Sequence, residues 1–312
     1  MSASRRARTA KKAVYLGFLF LTGCQSGAVL LPASVPPASV PPDPILVGAG
    51  DIARCGTDGD EATASVLDRV FPPPAPAEHG IVFTLGDNAY DSGSLGEYTA
   101  CYDPTWGRHR ARTRPAAGNH EYLTAGAQGY FTYFGTAAGD PSRGYYGYDV
   151  GTWHVVALNS NCEEIGGCGA ASPQETWLRA DLAAHPTKCA LAYWHHPLFS
   201  SGLVHGGDAM MKEIWSTLQE FGVDVALAGH EHNYERFAPQ DAQGRADATA
   251  GIREFVVGTG GRSLYELGPP RPNSEVRGAD YGVLTLTLHP AGYDWEFLPA
   301  ASFADAGSGT CH

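Results

Sequence analysis

Five short segments constrain this chain more than any other feature of its sequence. Each sets acidic, amide or imidazole side chains beside a glycine or a proline, and four of the five directly follow an apolar run that predicts a buried strand. Because ligands of open α/β sheets bind beyond the carboxyl ends of the strands, this pattern predicts one shared polar site. The segments are Gly50–Ile52, Gly86–Tyr90, Gly118–Glu121, His195–Pro197 and Gly229–His232.

The donor types in these segments indicate metal ions. Carboxylate, amide and imidazole groups without thiolate suit hard or borderline cations such as Fe, Mn or Zn. A single carboxylate can bridge two cations roughly 3.5–4 Å apart, as two-metal hydrolytic sites require. Asn119 adds a neutral oxygen, which keeps the metals more electrophilic than a further carboxylate would. His230 and His232 lie two residues apart, so we expect them to share one side of an extended segment.

Predicted strands and helices alternate along the rest of the sequence. Ser172 and Glu175 form a capping box that predicts a helix to Ala184, and a helix over Asp208–Phe221 is closed by Gly222. This mixture predicts an α/β fold of sheets covered by helices, with no appended second domain. An apolar stripe of Ala62, Val66, Leu67 and Val70 predicts the first helix, and the predicted strands are Ile45–Val47, Ile81–Leu85, Tyr145–Val150, Trp153–Leu158, Cys189–Trp194, Val223–Ala228, Ile252–Val257, Val283–His289 and Tyr293–Phe297.

Residues 1–24 are predicted to be an export signal. Five basic residues precede an apolar run from Ala13 to Leu21, which is too short to span a bilayer as a helix. Leu21–Cys24 then resembles a bacterial lipobox, which predicts lipidation of Cys24; an ordinary secretory signal is the alternative. Residues 25–44 repeat Pro, Ala and Ser, which predicts an extended linker before a folded domain over residues 45–312. We expect an exported protein, either anchored at the cell envelope or secreted, that contacts the membrane only through its lipid.

The charge of the folded part limits its partners. Loss of residues 1–24 removes five basic and no acidic residues, which leaves 16 Lys and Arg against 33 Asp and Glu and takes the formal charge from −12 to −17. Such an acidic body excludes nucleic-acid binding by general electrostatics. It also requires local cations to attract an anionic substrate, and bound metals would supply them. The sequence leaves the oligomeric state open.

Six cysteines follow Cys24, and an even number in an exported protein predicts three disulfides. Two of them flank a Gly-rich loop and two follow metal segments, which favours the first two pairs below and leaves the third to hold the C-terminus. No Cys-x-x-Cys spacing supports a cysteine metal site. The predicted pairs, among fifteen combinations that six cysteines allow, are Cys55 with Cys101, Cys162 with Cys168, and Cys189 with Cys311.

Taken in order, the five segments resemble the signature of the calcineurin-like metallophosphoesterases. The tyrosine three residues after Asp87 and the run Gly229–Arg236 resemble the purple acid phosphatase branch in particular, and the resemblance covers residues 45 to 299. It implies a four-layer sandwich of two mixed β-sheets flanked by helices, the metallo-dependent phosphatase fold. The chain departs from the family pattern at Ala53, where glycine is frequent, and at Glu121, where aspartate is frequent. Neither change removes a ligand.

The same resemblance implies two metal ions per chain. Iron is implied at the site that contains Tyr90, since a phenolate on ferric iron is the chromophore of that branch; the alternative is an aromatic that only packs. The second metal is Zn, Mn or Fe. His196 is an alternative to His195, although the family's His-x-Pro pattern selects His195. The implied ligands are Asp51, Asp87, Tyr90 and His232 for the first metal, and Asp87, Asn119, His195 and His230 for the second.

Two further histidines are candidate catalytic groups. By resemblance, His120 hydrogen-bonds the phosphate or its leaving oxygen. His205 lies ten residues beyond His195, where the family places another substrate histidine; an exposed loop histidine is the alternative. Arg236 is expected to pack structurally rather than bind phosphate. Gly258–Gly261 lacks the Lys-Ser/Thr and the helix of a phosphate-binding loop, so we expect a tight strand exit beside the metals.

These features predict a metal-dependent hydrolase of small phosphoesters, most simply a phosphomonoesterase. The resemblance implies that the metals polarise the phosphate and that a metal-activated hydroxide attacks phosphorus in line. His120, with His205, would stabilise the transition state or protonate the leaving oxygen. The alternatives are a phosphodiesterase that uses the same site and a non-catalytic surface lipoprotein that binds metal or phosphate. Nuclease activity fits poorly with the negative charge.

Overall fold

The structure is a computed structural model that describes residues 13–15, 17, 42–72 and 80–312. The predicted lipidation site Cys24, His79 and nearly all of the predicted linker lie outside these residues. Contacts divide the chain into a unit of residues Met1–Pro41 and a unit of residues Pro42–His312. In the first unit, the few described residues have no regular secondary structure. Over the described parts of both units, no helix is long and apolar enough to cross a bilayer.

The second unit contains fifteen strands and five α-helices within its described residues, joined by short 3₁₀ segments and one π-helical turn at Tyr98–Tyr102. The strands are β1 Ile45–Ala49, β2 Ala53–Arg54, β3 Gly80–Leu85, β4 Ala89–Tyr90, β5 Thr113–Ala116, β6 Tyr146–Val150, β7 Trp153–Ala157, β8 Cys189–Tyr193, β9 Val225–Ala228, β10 Tyr234–Phe237, β11 Arg253–Val257, β12 Ser274–Gly278, β13 Gly282–His289, β14 Gly292–Pro299 and β15 Asp305–Thr310. The helices are α1 Gly59–Val70, α2 Leu95–Glu97, α3 Gln128–Phe134, α4 Pro173–Ala184 and α5 Lys212–Glu220.

Two mixed sheets form the centre of the unit. The first has six strands in the order β15-β14-β13-β1-β3-β5, in which β1, β3 and β5 are parallel. The second has seven strands in the order β12-β10-β11-β9-β8-β7-β6, in which β7, β8, β9 and β11 are parallel. The strands β2 and β4 form a separate parallel pair. The parallel strands of both sheets direct their carboxyl ends toward the polar segments singled out above.

Alternation along the central strands explains the four layers. In β7, Val155 belongs to the core between the sheets, and Val156 belongs to a second core beneath α4 and α5. Leu227 and Ala226 of β9 divide in the same way, as side chains of period two must. The helix α1 packs against β13 and β14 of the other sheet. The predicted α/β sandwich of two mixed sheets between helices is therefore confirmed.

Local signals predicted the long elements well and the irregular ones poorly. Ser172 caps α4 by accepting a hydrogen bond from the Glu175 N–H at 3.3 Å, but the Glu175 carboxylate accepts from the Ala171 N–H and not from Ser172, so the capping box is only half formed. The sequence did not predict β5, β10, β12 or β15. These strands carry Pro115, charged residues or several glycines, which obscure the apolar pattern of a strand.

Three disulfides form, and they join the predicted pairs. Cys55 bonds Cys101 across 46 residues and holds the loop after β2 to the π-helical turn. Cys189 bonds Cys311 and fixes the C-terminus beside β8. The third, between Cys162 and Cys168, closes a short Gly-rich loop. Three such bonds fit folding in an oxidising compartment.

Candidate metal centre

Strand ends from both sheets deliver the predicted metal ligands to one place. Asp51, Asp87, His195 and His230 each follow the last residue of a strand by two positions, after β1, β3, β8 and β9 in turn. Asn119 follows β5 by three positions. Because these five strands are parallel within their sheets, their carboxyl ends coincide, and the short exits direct the side chains into one cavity.

Left-handed backbone makes these exits tight. Asp51, Asp87 and His230 have φ values of +62°, +51° and +70°, which are uncommon for residues other than glycine. Such strain clusters at functional sites because the surrounding structure holds it in place. The neighbouring glycines permit close approach: a Cβ added at Gly118 would lie 2.2 Å from Asp87 Oδ1. The glycine of the third segment is therefore required by the packing around Asp87.

One group of donor atoms gathers around Tyr90. The Tyr90 hydroxyl oxygen lies 2.9 Å from Asp51 Oδ1 and 2.9 Å from Asp87 Oδ2. His232 Nε2 lies 3.4 Å from the same hydroxyl and 3.3 Å from Asp51 Oδ1. These four side chains are the ones predicted to hold the first metal. Tyr90 is buried with its hydroxyl among donor atoms, so it does more than pack.

A second group gathers around His195. Its Nε2 lies 3.1 Å from Asn119 Oδ1, 3.1 Å from His230 Nδ1 and 3.4 Å from Asp87 Oδ1. The neighbouring His196 is also within reach of His230, but its Nδ1 is 2.7 Å from the Ser160 hydroxyl. His195 therefore joins the predicted second set, because its Nε2 contacts Asp87 and Asn119, while His196 stays within reach of His195 and His230 as the alternative.

Asp87 belongs to both groups, with Oδ2 in the first and Oδ1 in the second. Burial and neighbouring charges shift the pKa values of the carboxyl, imidazole and phenol groups in this site. Burial alone raises the pKa of the Asp87 carboxyl, but His195 and His120 outweigh burial and hold that pKa well below its usual range. Burial lowers and the Asp87 carboxylate raises the pKa of His195, with a net rise to about 9. Burial and two carboxylates raise the pKa of Tyr90 well above its ordinary value. Two cations would satisfy these oxygen and nitrogen donors together, so the donor set fits a dinuclear centre.

The outer nitrogens of His195 and His232 are anchored on neutral groups. His195 Nδ1 lies 2.7 Å from the Leu85 carbonyl, and His232 Nδ1 lies 2.8 Å from the Ser263 hydroxyl. These contacts fix the rings and leave each Nε2 facing the cavity, as second partners of metal-binding histidines do. The His232 ring also stacks on Tyr265 at 4.0 Å, with 6° between the ring planes.

Glu121 explains why the departure from the family pattern is tolerated. Its buried carboxylate accepts hydrogen bonds from the N–H groups of Asp87, Asn88 and Gly118 at 2.6–2.9 Å and from the Tyr98 hydroxyl at 2.9 Å. The side chain thus ties the second segment to the third from behind the ligands. The segment Gly118–Glu121 signalled a ligand and a catalytic histidine, but nothing in the sequence alone indicated this scaffold role.

The two candidate catalytic histidines lie at the cavity. His120 Nδ1 lies 2.5 Å from the Asp91 carbonyl, which leaves Nε2 on the cavity side, 3.8 Å from Asp87 Oδ2. The His205 ring stacks on His230 with centroids 4.1 Å apart, and the Glu231 carboxylate accepts its backbone N–H. Both line a cavity of about 70 Å³ together with five of the seven candidate metal ligands, which are Asp87, Tyr90, Asn119, His230 and His232.

Arg262 is a site residue that sequence reasoning missed. Its guanidinium lies over the Tyr90 ring at 5.0 Å and lines the same cavity, and its buried Nε has no hydrogen-bond partner. Nη2 approaches Asp91 at 3.5 Å. The residue follows Gly258–Gly261, which is the tight exit beside the ligands that the sequence predicted: a Cβ at Gly258 would lie 2.8 Å from Asp51 Oδ2. The signal was the position of an arginine directly after that exit.

Of the remaining expectations about single residues, some agree with the structure and one does not. Arg236 binds Asp305 with Nε at 2.7 Å and lies over Trp295, so its structural role is as predicted. The expectation that His230 and His232 share one side of an extended segment is wrong. The segment is a bend, because His230 is left-handed, and the two rings reach different donor groups. The histidines without a motif, where described, lie outside the cavity: His109, His154, His185, His289 and His312.

Comparison with known proteins agrees with this geometry. Residues 46–234 match the family model described as calcineurin-like phosphoesterase. Purple acid phosphatase 22 of Arabidopsis thaliana is 27% identical over 278 residues, which cover 73% of this chain and 60% of that protein. Purple acid phosphatase 21 of the same plant is 28% identical, with the same coverage. The chain thus spans about 60% of the length of these curated relatives.

A solved structure shares the fold. Purple acid phosphatase PPD1 from yellow lupin seeds superposes with a TM-score of 0.67 at 21% identity, over 85% of this chain and 53% of that one. At this identity the likeness concerns the fold alone. The family model, in contrast, matches more than half of the sequence and contains all five polar segments. The chain belongs to the calcineurin-like phosphoesterase family, with purple acid phosphatases among its relatives.

Proposed function

We propose that this protein is a dinuclear metal-dependent phosphoester hydrolase that prefers small phosphomonoesters. One observation carries the proposal: two groups of donor atoms share Asp87, which presents one carboxylate oxygen to each. Asp51, Tyr90 and His232 would hold one cation with Asp87, and Asn119, His195 and His230 the other. When bound, two such cations supply Lewis-acid polarisation of a phosphoryl group and a nucleophile at neutral pH.

The protein's own side chains then orient the ester and move its proton. His120 Nδ1 is held by the Asp91 carbonyl, so Nε2 is free to donate a proton or a hydrogen bond to the leaving oxygen. Arg262, with a free Nε beside the cavity, would hold phosphoryl oxygens by charge-assisted hydrogen bonds. His205, stacked on His230, would contact the ester from the opposite loop. A dianionic monoester makes fuller use of Arg262 than a monoanionic diester, which supports monoester preference.

We propose iron at the Tyr90 group and Zn, Mn or Fe at the other. The Tyr90 phenol supports iron at its group. A phenolate is a hard donor, and a strong cation is needed to replace the phenol proton. We also propose export, with residues 1–24 as a lipoprotein signal, Cys24 as the lipid anchor and residues 25–44 as a linker. The three disulfides support an oxidising destination for the domain from residue 45.

Hydrolysis of p-nitrophenyl phosphate against bis-p-nitrophenyl phosphate tests the proposal. The chain is loaded with iron plus zinc or manganese and compared with Asp87→Asn. Asp294→Asn, which removes a carboxylate on β14 away from the cavity, is the matched control. We expect monoester preference in wild type and control, and a loss of roughly 10²–10³-fold or more in Asp87→Asn. Diester preference would identify a phosphodiesterase instead, and metal binding without turnover of either ester would identify a binding protein.

A further inference from the structure

An arginine-rich segment lies apart from the metal centre. Arg108, Arg110, Arg112 and Arg114 fall within seven residues of a chain whose formal net charge is −12. Clustering like charges costs electrostatic energy unless counter-charges offset it. The segment covers the 3₁₀ helix Trp106–Arg112 and the start of β5, and none of the five polar segments includes it. Whether acidic residues pair with these arginines therefore indicates whether the segment is purely structural.

Three of these arginines line a cleft with a volume of about 760 Å³. Residues of two edge strands line the cleft. One strand is β5, at the edge of the six-stranded sheet, and the other is β6, at the edge of the seven-stranded sheet. Among the described residues, no carboxylate lines it. The lining residues that bear on ligand binding are Arg108, Arg110, Arg114, Phe134, Tyr146 and Tyr148.

Counter-charges within the described residues serve only one of the three arginines. Arg108 pairs with Glu61 at 2.8 Å and with Asp68 at 3.0 Å. Arg110 instead lies over the Tyr133 ring at 4.4 Å and donates to the Tyr133 carbonyl. Arg114 donates to the Thr113 carbonyl at 3.2 Å. Each guanidinium has five N–H donors, so Arg110 and Arg114 keep donors and an uncompensated charge for an anion.

The aromatic wall offers ring surface to the same cleft. The Tyr146 hydroxyl donates to the Pro115 carbonyl at 2.8 Å, and the Tyr148 hydroxyl lies 3.2 Å from the Tyr193 hydroxyl. Their polar ends are thus engaged in the interior. The two rings lie 6.1 Å apart at 29°, and Arg114 approaches the Tyr148 ring at 5.9 Å. A planar group could therefore stack beside a guanidinium here.

We propose that this cleft binds a small organic polyanion that joins phosphate groups to a planar ring, the chemistry of a nucleotide. Arg110 and Arg114 bind the phosphates, and the ring packs against Tyr146 and Tyr148. The volume suits a ligand of that size. The cleft shares no lining residue with the cavity of the metal centre, so this binding is independent of catalysis there.

Calorimetric titration of adenosine 5′-diphosphate into the Asp87→Asn chain tests the proposal, since that change suppresses turnover at the metal centre. Pyrophosphate and adenosine serve as the two halves of the probe. We expect the diphosphate to bind at least tenfold more tightly than either half. Arg110→Gln with Arg114→Gln should weaken it at least tenfold, while Arg69→Gln with Arg245→Gln, which removes the same charge from exposed positions outside the cleft, should change affinity less than threefold.

Two results would overturn the proposal. One is an unchanged affinity in the Arg110→Gln/Arg114→Gln chain, with folding verified by undiminished hydrolysis in an otherwise wild-type background. The other is pyrophosphate binding as tightly as adenosine 5′-diphosphate, which would remove the ring from the recognised chemistry. Tyr148→Leu separates the two contributions: it should weaken the nucleotide and leave pyrophosphate unaffected.

Discussion

Two clusters in this protein combine histidine with aspartate but differ in what the histidine nitrogens contact. The metal centre joins histidines to Asp51 and Asp87, and a second cluster, which we call the His154 cluster, joins His154 and His185 to Asp149 and Asp181. In the second cluster, His154 Nδ1 lies 2.7 Å from Asp149 and Nε2 lies 2.7 Å from Asp181. The His185 ring stacks on His154 at 4.3 Å.

The difference lies in what occupies each ring nitrogen. At the metal centre, a neutral carbonyl or hydroxyl anchors one nitrogen of His195 and of His232 and leaves the other for the cavity. Carboxylate oxygens lie 2.7 Å from both nitrogens of His154, so each nitrogen is already engaged by the protein, although His154, Asp181 and His185 lie close enough together to hold a metal. The two clusters therefore differ in whether the second ring nitrogen faces a cavity or a carboxylate.

Removing one histidine from each cluster should give the largest difference between the two clusters. His232→Ala should lower bound metal from two ions to one per chain and reduce kcat/KM for a monoester by roughly 10²–10³-fold. His154→Ala should retain both metals. Elemental analysis of the purified variants, with kinetics on the same samples, checks this. Metal loss on changing His154 would contradict our account of the outer nitrogens.

Metal removal should destabilise the fold through the metal centre alone. A ligand that binds only the folded state adds on the order of 4 kcal/mol to the free energy of unfolding at a thousandfold excess over its Kd. Denaturant unfolding of the metal-loaded and the chelator-treated chain measures this gain. It should persist in His154→Ala and disappear in Asp87→Asn. A gain that survives in Asp87→Asn would place the stabilising metal elsewhere.

Arg262→Gln should have a smaller effect, confined to the cavity. Loss of a hydrogen bond to a charged group costs about 1.5–3 kcal/mol, or roughly 10- to 100-fold in kcat/KM. Because a monoester carries more charge than a diester, the monoester should lose more, and Arg262→Lys should recover part of the loss. The absorption of an iron-loaded sample should also shift, since the guanidinium lies over Tyr90. Equal losses for both esters would remove Arg262 from substrate binding.

The smallest effect concerns pH and the His154 cluster. Burial lowers the pKa of His154, but the hydrogen bonds that its ring donates to Asp181 and Asp149 outweigh burial and raise that pKa above 6.5. A raised pKa contributes stability that is fully present below pH 6.5 and is lost as pH rises through the folded value. His154→Gln should therefore lower the free energy of unfolding by roughly 1–3 kcal/mol at pH 6, and by less at pH 9. A difference that grows with pH would reverse the sign argued here.

The sequence predicted a candidate ligand set because metal chemistry restricts residue type and spacing. Asp87, Asn119 and His195 could be assigned from short motifs, and the structure gathers them within a few ångströms. The long strands were predictable for a similar reason, since buried strands need continuous apolar runs. One cysteine pair followed from positions near these same segments, one from its place around a Gly-rich loop, and the third was the pair that remained.

Supporting residues were harder to predict because their roles depend on tertiary approach. Glu121 holds two segments together through backbone N–H groups, and any buried acceptor of suitable length could serve there. Arg262 reaches the cavity from a loop 172 residues beyond Tyr90. The bend at His230 was missed because left-handed backbone at a histidine has no local sequence signal, whereas at glycine it would have been expected.

The left-handed backbone at Asp51, Asp87 and His230 also bears on how this protein would change under selection. Holding a residue other than glycine in that region costs on the order of 1–3 kcal/mol, which glycine avoids. A library sorted for thermal stability alone would therefore enrich glycine at His230, because strain is relieved although a ligand is lost. Selection for stability and turnover together would keep all three residues and find its improvements elsewhere. Laboratory evolution of this fold thus has three positions at which robustness and chemistry are in direct conflict.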